Sequence, residues 1–453
     1  MEINSFKLTD VGRFTDLVVH LAPTQKNSSN VTVLVGNNGA GKTTLLRSLA
    51  TALSWLIARI RTEKGNGKYL TNEEIQNNAT LAAIAIAVTD HSVSNSSNPE
   101  AEECLFFWST ARGRLGRKTA VHSELGDATR LADHYRYRIT RDDKASLPLI
   151  AYYPVERSVL EIPLKIRTKH TFDQLDGYDN SLNRGVDFRR FFEWFRERED
   201  SENESGISDT ALAEISVKFG YNSDVWKTLS NLKASSRDRQ LTAVRSAIAA
   251  FMPGFTNLRV QRKPRLHMAI DKDGVTLNVA QLSQGEKSMM ALVGDIARRL
   301  AMMNQSLDNP LQGDGIVLID EVDLHLHPKW QRSLIRNLSE TFPNCQFVLT
   351  THSPLVISDA KDVLVYVLND GELHEHNGLY GLDANQVLLE VMDTDIRNSE
   401  VQKRLNQLLN EVQDGNLDKA KSLFAELSSE LPDGHIELAK AALLIRKLEL
   451  RRA

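Results

Sequence analysis

Apolar and polar residues alternate along this chain in blocks, and the period within each block predicts one type of element. Short apolar runs rich in β-branched residues predict buried strands at 31–35, 316–319 and 346–349. Apolar runs at 81–88 and 105–108 predict a further pair of strands with a Ser- and Asn-rich turn between them. Because helical stretches separate most of these strands, the pattern predicts an α/β core.

Helical periodicity replaces the strand pattern in two blocks. In the first block, apolar side chains recur every three or four residues, at Phe188, Phe191, Phe192 and Phe195. The second block is the charged tail, for which two roles remain open: packing against the core, or binding a partner or sister subunit. The predicted domains are an amino-terminal lobe, a helical insertion, a carboxyl-terminal lobe and a helical tail, at 1–185, 186–253, 254–375 and 376–453.

Composition narrows the class of protein. The chain has 453 residues, 41% of them hydrophobic, and a formal charge of -4, so any nucleic-acid contact needs a local basic patch. Cys104 and Cys345 are too far apart in sequence to suggest a metal motif or a disulfide framework, which fits a reducing compartment. No apolar run approaches the roughly 20 residues that span a bilayer. We therefore expect a cytoplasmic protein without a membrane partner.

The strand at 31–35 leads into the GxxxxGKT pattern of a phosphate-binding loop. Its residues are Gly36, Asn37, Asn38, Gly39, Ala40, Gly41, Lys42 and Thr43, and Thr44 continues into a predicted helix. Glycines let backbone N–H groups turn towards phosphate oxygens, and the helix N terminus adds partial positive charge. Lys42 is predicted to contact the β- and γ-phosphates of ATP, and Thr43 to bind Mg²⁺. A glycine-rich turn that matches by chance is the weaker interpretation, since the flanking strand and helix are both present.

Two acidic residues, Asp320 and Glu321, end the strand at 316–319. This is the Walker B pattern, in which Asp320 is predicted to hold Mg²⁺ through water. Glu321 is predicted to orient and deprotonate the attacking water. A buried strand that runs into an acidic turn is the alternative, and the phosphate-binding loop elsewhere in the chain disfavours it.

The segment Leu282–Lys287 reads LSQGEK and resembles the LSGGQ signature of ABC-type ATPases. Ser283, Gly285 and Glu286 are its predicted nucleotide contacts, because a serine hydroxyl, a glycine N–H and a helix N terminus together form an anion site. In that family the signature closes over the γ-phosphate held by another subunit. The same residues also fit a capping box, with Ser283 as the N-cap. The two interpretations are compatible, since the cap geometry creates the anion site.

Histidines follow both of the later strands. His352 resembles the switch histidine that hydrogen-bonds the γ-phosphate, and a structural histidine at a strand end is the alternative. Asp323 resembles the D-loop acid that signals across the dimer. His325 and His327 have no third ligand at a suitable spacing, so we expect them to pack in a loop rather than to bind a metal.

These motifs occur in order between residues 31 and 354, and together they resemble the ABC ATPases of the SMC/RecF branch. Further strings are similar to AAA-type ATPases of bacterial antiphage defence loci, most closely the PtuA ATPases of Septu systems, including those tied to retrons. The strings are Tyr152–Arg157, Phe191–Phe195, Asp295–Leu300, His325–Gln331 and Tyr380–Asn385. The resemblance implies an α/β, ABC-type (SMC/RecF-like) P-loop NTPase with a mixed β-sheet, a short helical insertion and an all-α carboxyl-terminal tail.

The resemblance also implies partners. Two chains would sandwich ATP head to tail, or form a higher oligomer, and would control a separate HNH nuclease of the PtuB type. Arg13 lies where relatives place a basic residue near the nucleotide. No nuclease activity is predicted in this chain, because the residues after Ser353 read as helices rather than as a Toprim domain. Two alternatives remain open: a nucleotide-sensing scaffold with little turnover, and a RecF-like DNA-repair ATPase.

A basic stretch is the candidate surface for DNA or RNA. It runs from Arg112 to Lys118 and is followed by Arg130, Arg136, Arg138 and Arg141. The alternative is the solvated rim of a β-hairpin, which is the usual outcome of a charge run.

Overall fold

The computed structural model describes residues 1–93, 104–115, 122–156, 172–183, 186–205, 209–221, 223–235, 237–376, 379–392, 394 and 397–452. The chain forms two compact units, Met1–Leu382 and Asp383–Ala453. The strands, in chain order, are β1 (Glu2–Val11), β2 (Phe14–His20), β3 (Val31–Gly36), β4 (Leu81–Asp90), β5 (Cys104–Gly113), β6 (Leu149–Tyr153), β7 (Phe255–Gln261), β8 (His267–Lys272), β9 (Val275–Asn278), β10 (Gly315–Ile319), β11 (Cys345–Thr350), β12 (Leu364–Asn369) and β13 (Glu372–His376).

The α-helices, in chain order, are α1 (Lys42–Arg61), α2 (Gly126–Arg141), α3 (Phe188–Ser205), α4 (Asp209–Phe219), α5 (Asp224–Ser235), α6 (Arg239–Phe251), α7 (Gln284–Met303), α8 (Pro328–Thr341), α9 (Pro354–Ser358), α10 (Ala384–Glu390), α11 (Ser399–Gln413), α12 (Leu417–Glu430) and α13 (Ile436–Arg452). None of the helices within the described ranges is both long and apolar enough to cross a bilayer.

A six-stranded sheet forms the centre of the first unit, in the order β13-β12-β3-β11-β10-β6. The five strands from β12 to β6 are parallel, and β13 pairs antiparallel with β12 at one edge. Strands β6, β10 and β11 are buried along their whole length, as apolar strands covered on both faces must be. Because parallel strands end at the same edge, the residues after β3, β11, β10 and β6 lie along one edge of this sheet.

A second, antiparallel sheet has the order β2-β1-β4-β5. The predicted strand pair is confirmed here, since β4 and β5 are antiparallel with Val88 opposite Phe106. The sheet is anchored to α1 by Trp108, which is buried and whose Nε1 donates a hydrogen bond to the carbonyl oxygen of Ala52 at 3.0 Å. A three-stranded sheet, β7-β8-β9, has a tight turn between β8 and β9. Both central residues of that turn have positive φ, 48° at Asp273 and 83° at Gly274, as a type I′ turn requires.

The helical insertion is formed by α3 to α6, which agrees with the periodicity between residues 186 and 253. Phe191, Phe192 and Phe195 of α3 are fully buried, as is Trp194. Helix α7 is buried on all sides from Ser288 to Met303, so it runs through the core rather than over its surface.

The second unit consists of α10 to α13 and has a hydrophobic core of its own. The buried side chains of that core are Leu405, Leu408, Val412, Ala420, Leu427, Leu438, Ala441 and Ile445. They recur at helical spacing on α11, α12 and α13, which confirms the helical character of the tail.

Arg130, Arg136, Arg138 and Arg141 lie on helix α2, whereas Arg112 and Gly113 end strand β5 of the β4–β5 pair. Ala128, Leu131, Ala132 and Tyr135 are buried on one face of that helix, at the i, i+3, i+4 and i+7 positions. The arginines occupy the remaining faces of the helix. An interpretation based on charge therefore overlooked the helical spacing of the apolar residues. Of the basic stretch before α2, Gly116, Arg117 and Lys118 lie outside the described residues.

Candidate nucleotide-binding site

The phosphate-binding loop joins β3 to α1, as predicted, and two of its glycines are required by close contacts. A Cβ atom at Gly36 would lie 2.4 Å from the carbonyl oxygen of Leu368 in the neighbouring strand β12. Gly41 precedes the first residue of α1 with φ 110°, and a Cβ atom there would lie 2.6 Å from Cζ of Phe14. A side chain at either position would therefore push the loop away from the sheet.

Lys42 closes this loop with its own side chain. Its Nζ donates hydrogen bonds to the carbonyl oxygens of Gly36 at 2.7 Å and Asn37 at 3.1 Å. Burial lowers the pKa of Lys42, and the nearby carboxylates of Asp320 and Glu321 oppose that shift only in part. The ammonium group is thus held against the loop backbone and is poorly solvated, so an anionic ligand would stabilise it strongly.

Three residues at the tip of the phosphate-binding loop are exposed to solvent. Asn37, Asn38 and Gly39 are exposed, whereas Ala40 is buried and donates its N–H to the carbonyl oxygen of Asn37 at 3.1 Å. Thr43 and Thr44 are half-buried in the first turn of α1. N–H groups in this turn have no earlier helical carbonyl to bind, which is the arrangement that holds phosphate oxygens.

Arg13 lies beside the loop, in the turn between β1 and β2. Its Cδ is 3.3 Å from the position a Cβ would take at Gly41. The preceding residue, Gly12, leaves room for Cγ2 of Thr44, 3.2 Å from where its own Cβ would be. The structure therefore places this exposed arginine next to the start of α1, although it is far from the loop in sequence.

Asp320 and Glu321 leave β10 at the same edge of the sheet and are held by a residue that the sequence analysis did not single out. Asp320 is fully buried, and its N–H donates to the carbonyl oxygen of Tyr153 at 2.9 Å. The hydroxyl of Thr350, at the end of β11, donates to Oδ1 of Asp320 at 2.5 Å. The same hydroxyl oxygen accepts the N–H of Glu321 at 2.7 Å, and Glu321 has φ 46°. One buried threonine thus fixes both acids.

Thr351 holds Asp323, the acid of the D-loop segment, through a hydrogen bond of the same kind. Thr351 is fully buried, and its hydroxyl donates to Oδ1 of Asp323 at 2.5 Å. His352 follows and is exposed at the sheet edge. Partial burial and the Lys42 cation lower the pKa of His352, against the opposing pull of Glu321 and the other acids. The imidazole is therefore held in its neutral form at pH 7.

The signature segment forms the capping box that its sequence predicts. The Ser283 hydroxyl accepts the N–H of Glu286 at 3.3 Å, and the Glu286 carboxylate accepts the N–H of Ser283 at 2.8 Å. Lys272 donates to the other carboxylate oxygen of Glu286 at 2.6 Å. Burial opposes ionisation of Glu286, but these hydrogen bonds prevail and its pKa is lowered. Ser283 itself stays exposed at the start of α7.

Within the part of the chain that the structure describes, the signature cap lines a cleft to which the phosphate-binding loop does not contribute. Ser283, Gly285 and Glu286 line a separate cleft of about 490 Å³, together with residues 325–327, Lys329 and Trp330. Gly285 packs against the backbone of the D-loop turn, since a Cβ there would lie 2.3 Å from the carbonyl oxygen of His325. We call this space the signature cleft.

Comparison with known proteins places this arrangement in a family. Two relatives are the "Retron Ec83 probable ATPase" of Escherichia coli, 36% identical over 76% of this chain and 68% of that protein, and the "Retron Vc95 probable ATPase" of Vibrio cholerae serotype O1 biovar El Tor, 33% identical over 82% of this chain and 74% of that protein. The chain belongs to the family of retron-associated ATPases. The "Septu protein PtuA" of Bacillus mycoides (strain KBAB4) is also similar, at 39% identity over 94 residues, 21% of this chain and 13% of that protein.

Family models and solved structures add two further findings on this retron-associated ATPase. Residues 5–219 match the model described as "AAA domain", and residues 133–358 match "AAA domain, putative AbiEii toxin, Type IV TA system". A solved SMC head bound to the C-terminal winged-helix domain of ScpA is similar at 15% identity and a TM-score of 0.44, over 83% of this chain and 97% of that one. The family models and the relatives confirm the predicted relationship to AAA-family, PtuA-like ATPases.

A buried ionic cluster connects the signature helix of the ATPase to the sheet edge. Asp295, Arg298 and Arg299 of α7 are all essentially inaccessible to solvent, and both arginines bond to the aspartate, at 2.6 Å and 2.7 Å. The Tyr153 hydroxyl donates to Oδ2 of Asp295 at 3.0 Å, the same oxygen that Arg299 contacts. Burial opposes the charge of Asp295, yet the two guanidinium groups lower its pKa. Tyr153 also accepts the backbone N–H of Asp320, so the cluster ends at the Walker B strand.

Six of the basic residues predicted to face nucleic acid lie in the described part of the chain, and each makes a contact within the ATPase. Arg112 donates to the carbonyl oxygen of Leu70 at 2.5 Å, and Arg114 donates to that of Gln76 at 2.9 Å. On α2, Arg136 bonds to Asp133 and to the Arg59 carbonyl oxygen. Arg130, Arg138 and Arg141 each lie over an aromatic ring, at 4.8, 5.9 and 4.9 Å.

His325 and His327 also have structural positions. His325 takes φ 64° where the D-loop turn meets Gly285, and His327 caps α8, its Nδ1 accepting the N–H of Lys329 at 3.2 Å. Among the residues that the structure describes, no group of three or more His, Cys, Asp or Glu side chains is arranged to hold a metal ion.

Proposed function

We propose that this retron-associated protein binds ATP with Mg²⁺ and hydrolyses it between two chains arranged head to tail. The observation that carries the proposal is the meeting of the Lys42 loop with the Asp320–Thr350–Glu321 cluster along one sheet edge. Lys42 would contact the β- and γ-phosphates, assisted by the loop N–H groups. Arg13, Asn37, Asn38, Gly39, Ala40 and Thr44 would complete the contacts of the same loop.

The residues present fit a magnesium ion. The hydroxyl of Thr43 and the carboxylate of Asp320 are hard oxygen donors, which Mg²⁺ prefers. Asp320 is fully buried, and its charge partly offsets the lowering of the Lys42 pKa by burial. When bound, the ion would neutralise charge on the phosphates.

Glu321 is proposed as the residue that orients water and accepts its proton. Its backbone N–H is fixed by Thr350 and its φ is positive, so the side chain leaves the strand in a direction that an ordinary extended residue would not take. His352, neutral at pH 7, has both a donor and an acceptor nitrogen and would hydrogen-bond the γ-phosphate. Attack by water on the γ-phosphorus releases inorganic phosphate and ADP.

The signature cap is proposed to act on the nucleotide of a second chain. Support comes from its geometry: Ser283 is an exposed N-cap at the start of the buried helix α7, and its cleft contains no residue of the phosphate-binding loop. A γ-phosphate bound by both elements would hold the two chains together, so hydrolysis would release them.

The test is the substitution Glu321→Gln, which keeps the shape of the side chain and removes its basicity. We expect ATP binding to persist, hydrolysis to fall at least about a hundredfold, and a stable dimer to accumulate with ATP. Light scattering coupled to size exclusion measures the dimer, with Lys42→Ala as the control that abolishes nucleotide binding. A Glu321→Gln protein that stays monomeric in saturating ATP would overturn the sandwich.

We further propose that the ATPase is a subunit of a cytoplasmic antiphage complex and controls a separate HNH nuclease. Support comes from its membership of the retron-associated family and its similarity to PtuA. Co-expression with the product of a neighbouring HNH gene, followed by affinity purification, tests this. A nuclease that never co-purifies, with or without ATP, would contradict the proposal.

A further inference from the structure

A second cleft lies along α8 and shares Lys329 and Trp330 with the signature cleft. It measures about 690 Å³, and we call it the α8 cleft. Lys329, Arg332 and Arg336 contribute to its lining at three- and four-residue spacing, so all three lie on one face of the helix. The end of α9 and the turn at Tyr380–Gly381 supply the rest of the polar lining.

The charges in this cleft are unbalanced. Arg332 is neutralised, because its Nη1 donates to both carboxylate oxygens of Asp359 at 3.0 Å. Lys329 and Arg336 are exposed, and within the described part of the chain no carboxylate lies at ion-pair distance from either. The cleft thus presents two uncompensated cations about 10 Å apart along the helix axis, a length over which a nucleic-acid strand carries more than one phosphate.

An exposed aromatic ring borders the same cleft. Tyr380 is 61% exposed, although a side chain of this size is usually buried for most of its surface. The backbone beside it is fixed: the N–H of Gly381 donates to the carbonyl oxygen of Ser358 at 3.0 Å, and Leu379 is buried. The ring therefore stands at the cleft on an anchored turn, and half-buried Trp330 offers a second aromatic surface.

We propose that the α8 cleft binds single-stranded nucleic acid, with Lys329 and Arg336 contacting phosphates and Tyr380 stacking on a base. A cationic groove combined with an exposed ring is what sequence-tolerant single-strand binding uses. An acidic protein segment would satisfy the two cations but would give no role to the exposed ring. Duplex bases are already stacked on each other and present no face to Tyr380.

The proposal does not require the ATP sandwich, because none of the cleft residues is itself a proposed nucleotide contact, although Lys329 and Trp330 also line the signature cleft. The experiment therefore uses the full chain without nucleotide. A fluorescein-labelled oligothymidylate of about 12 nucleotides is titrated with protein, and anisotropy is followed between about 50 and 200 mM salt. Two competitors are added in separate arms: a duplex of the same length, and an all-glutamate peptide.

The expected results separate phosphate contact from stacking. Lys329→Glu and Arg336→Glu should each lower the slope of log affinity against log salt by about 0.7. Tyr380→Ala should weaken binding about fivefold or more, while Tyr380→Phe, which keeps the ring, should stay within about twofold of wild type. The matched control is Lys64→Glu, since Lys64 is another exposed lysine and follows α1.

Four outcomes would overturn the proposal. The first is a folded wild-type protein that does not bind the oligonucleotide at the lowest salt. The second is a loss with Lys64→Glu equal to that with Lys329→Glu, which would indicate a diffuse charge effect. The third is displacement by the glutamate peptide as effective as by unlabelled oligonucleotide. The fourth is tighter binding of the duplex together with no effect of Tyr380→Ala.

Discussion

Thr350 makes the most consequential single contact in the site, because one hydroxyl serves both Walker B acids. It donates to Asp320 and accepts the N–H of Glu321, in a setting that solvent does not reach. We predict that Thr350→Val, which keeps the shape, lowers kcat of ATP hydrolysis at least about tenfold with little change in KM, because an unmade buried hydrogen bond costs about 1–3 kcal/mol and Glu321 loses its anchor.

Thr350→Ser provides the matched control, since it keeps the hydroxyl and should retain most of the activity. Steady-state kinetics over a range of ATP concentrations would distinguish kcat from KM. If the valine variant lost affinity for ATP and kept its turnover, Thr350 would contribute to binding rather than to the position of the acids.

His352 gives a prediction about protonation. Burial and the Lys42 cation both disfavour its charged form, so we predict a pKa below the ordinary histidine value of about 6.5. The imidazole then stays neutral at pH 7 and gains its proton only as the pH falls further. Lys42→Met should raise the pKa of His352 by removing a positive charge, as measured by NMR titration of labelled histidines. Lys64→Met is the control, and equal pKa values in wild type and Lys42→Met would contradict this.

Residue identity predicted the acids but not the hydroxyl that fixes them. Asp320 and Glu321 end an apolar strand, and that position alone indicates a role at the sheet edge. Thr350 and Thr351 also follow a buried strand, but threonine is common in strands, and nothing in the sequence tells which hydroxyl faces another strand's acid. Strand order supplies that information: β11 lies next to β10 in the sheet although 25 residues separate them along the chain.

At the scale of elements, the spacing of apolar residues predicted helices and strands best, and the distribution of charged residues predicted them least well. The buried strands and the helices of the insertion were predicted from the spacing of apolar residues. Helix α2 was not predicted, because it is rich in arginine and its buried face comprises only four residues. The ionic cluster on α7 was not predictable either: Asp295, Arg298 and Arg299 read as surface residues, and only the surrounding core makes them partners.

The contact between the signature helix and the D-loop turn leads to a prediction at this scale. Gly285 has no room for a Cβ, whose nearest neighbour would be a backbone oxygen at 2.3 Å. Gly285→Ala should therefore separate the two elements and lower the free energy of unfolding by about 1–3 kcal/mol, as overpacking does.

Gly126→Ala is the matched control, since Gly126 opens α2 with nothing within 4 Å of an added Cβ. Thermal unfolding of both variants, compared with wild type, measures the difference. Equal melting temperatures for the two substitutions would mean that the signature helix is not held by this contact.

At the scale of the whole molecule, the head-to-tail arrangement makes a prediction that neither motif makes alone. Lys42→Ala inactivates the phosphate-binding loop of the chain that carries it. Ser283→Arg inactivates the signature segment of the chain that carries it. Each variant should be inactive by itself. A mixture of the two should regain ATPase activity, up to about a quarter of wild type, because mixed dimers contain one intact composite site. A mixture as inactive as its components would indicate that each chain hydrolyses ATP with its own residues only.

Lys329 and Trp330 line both the signature cleft and the α8 cleft, so the first turn of α8 separates the two clefts. A ligand that shifts this turn when it binds in one cleft changes the affinity of the other cleft for its ligand. By thermodynamic linkage, the second ligand changes the affinity for the first by the same factor. Oligonucleotide affinity should accordingly differ between nucleotide-free protein and the ATP-loaded Glu321→Gln form. Equal affinities would mean that ligand binding in one cleft does not affect binding in the other.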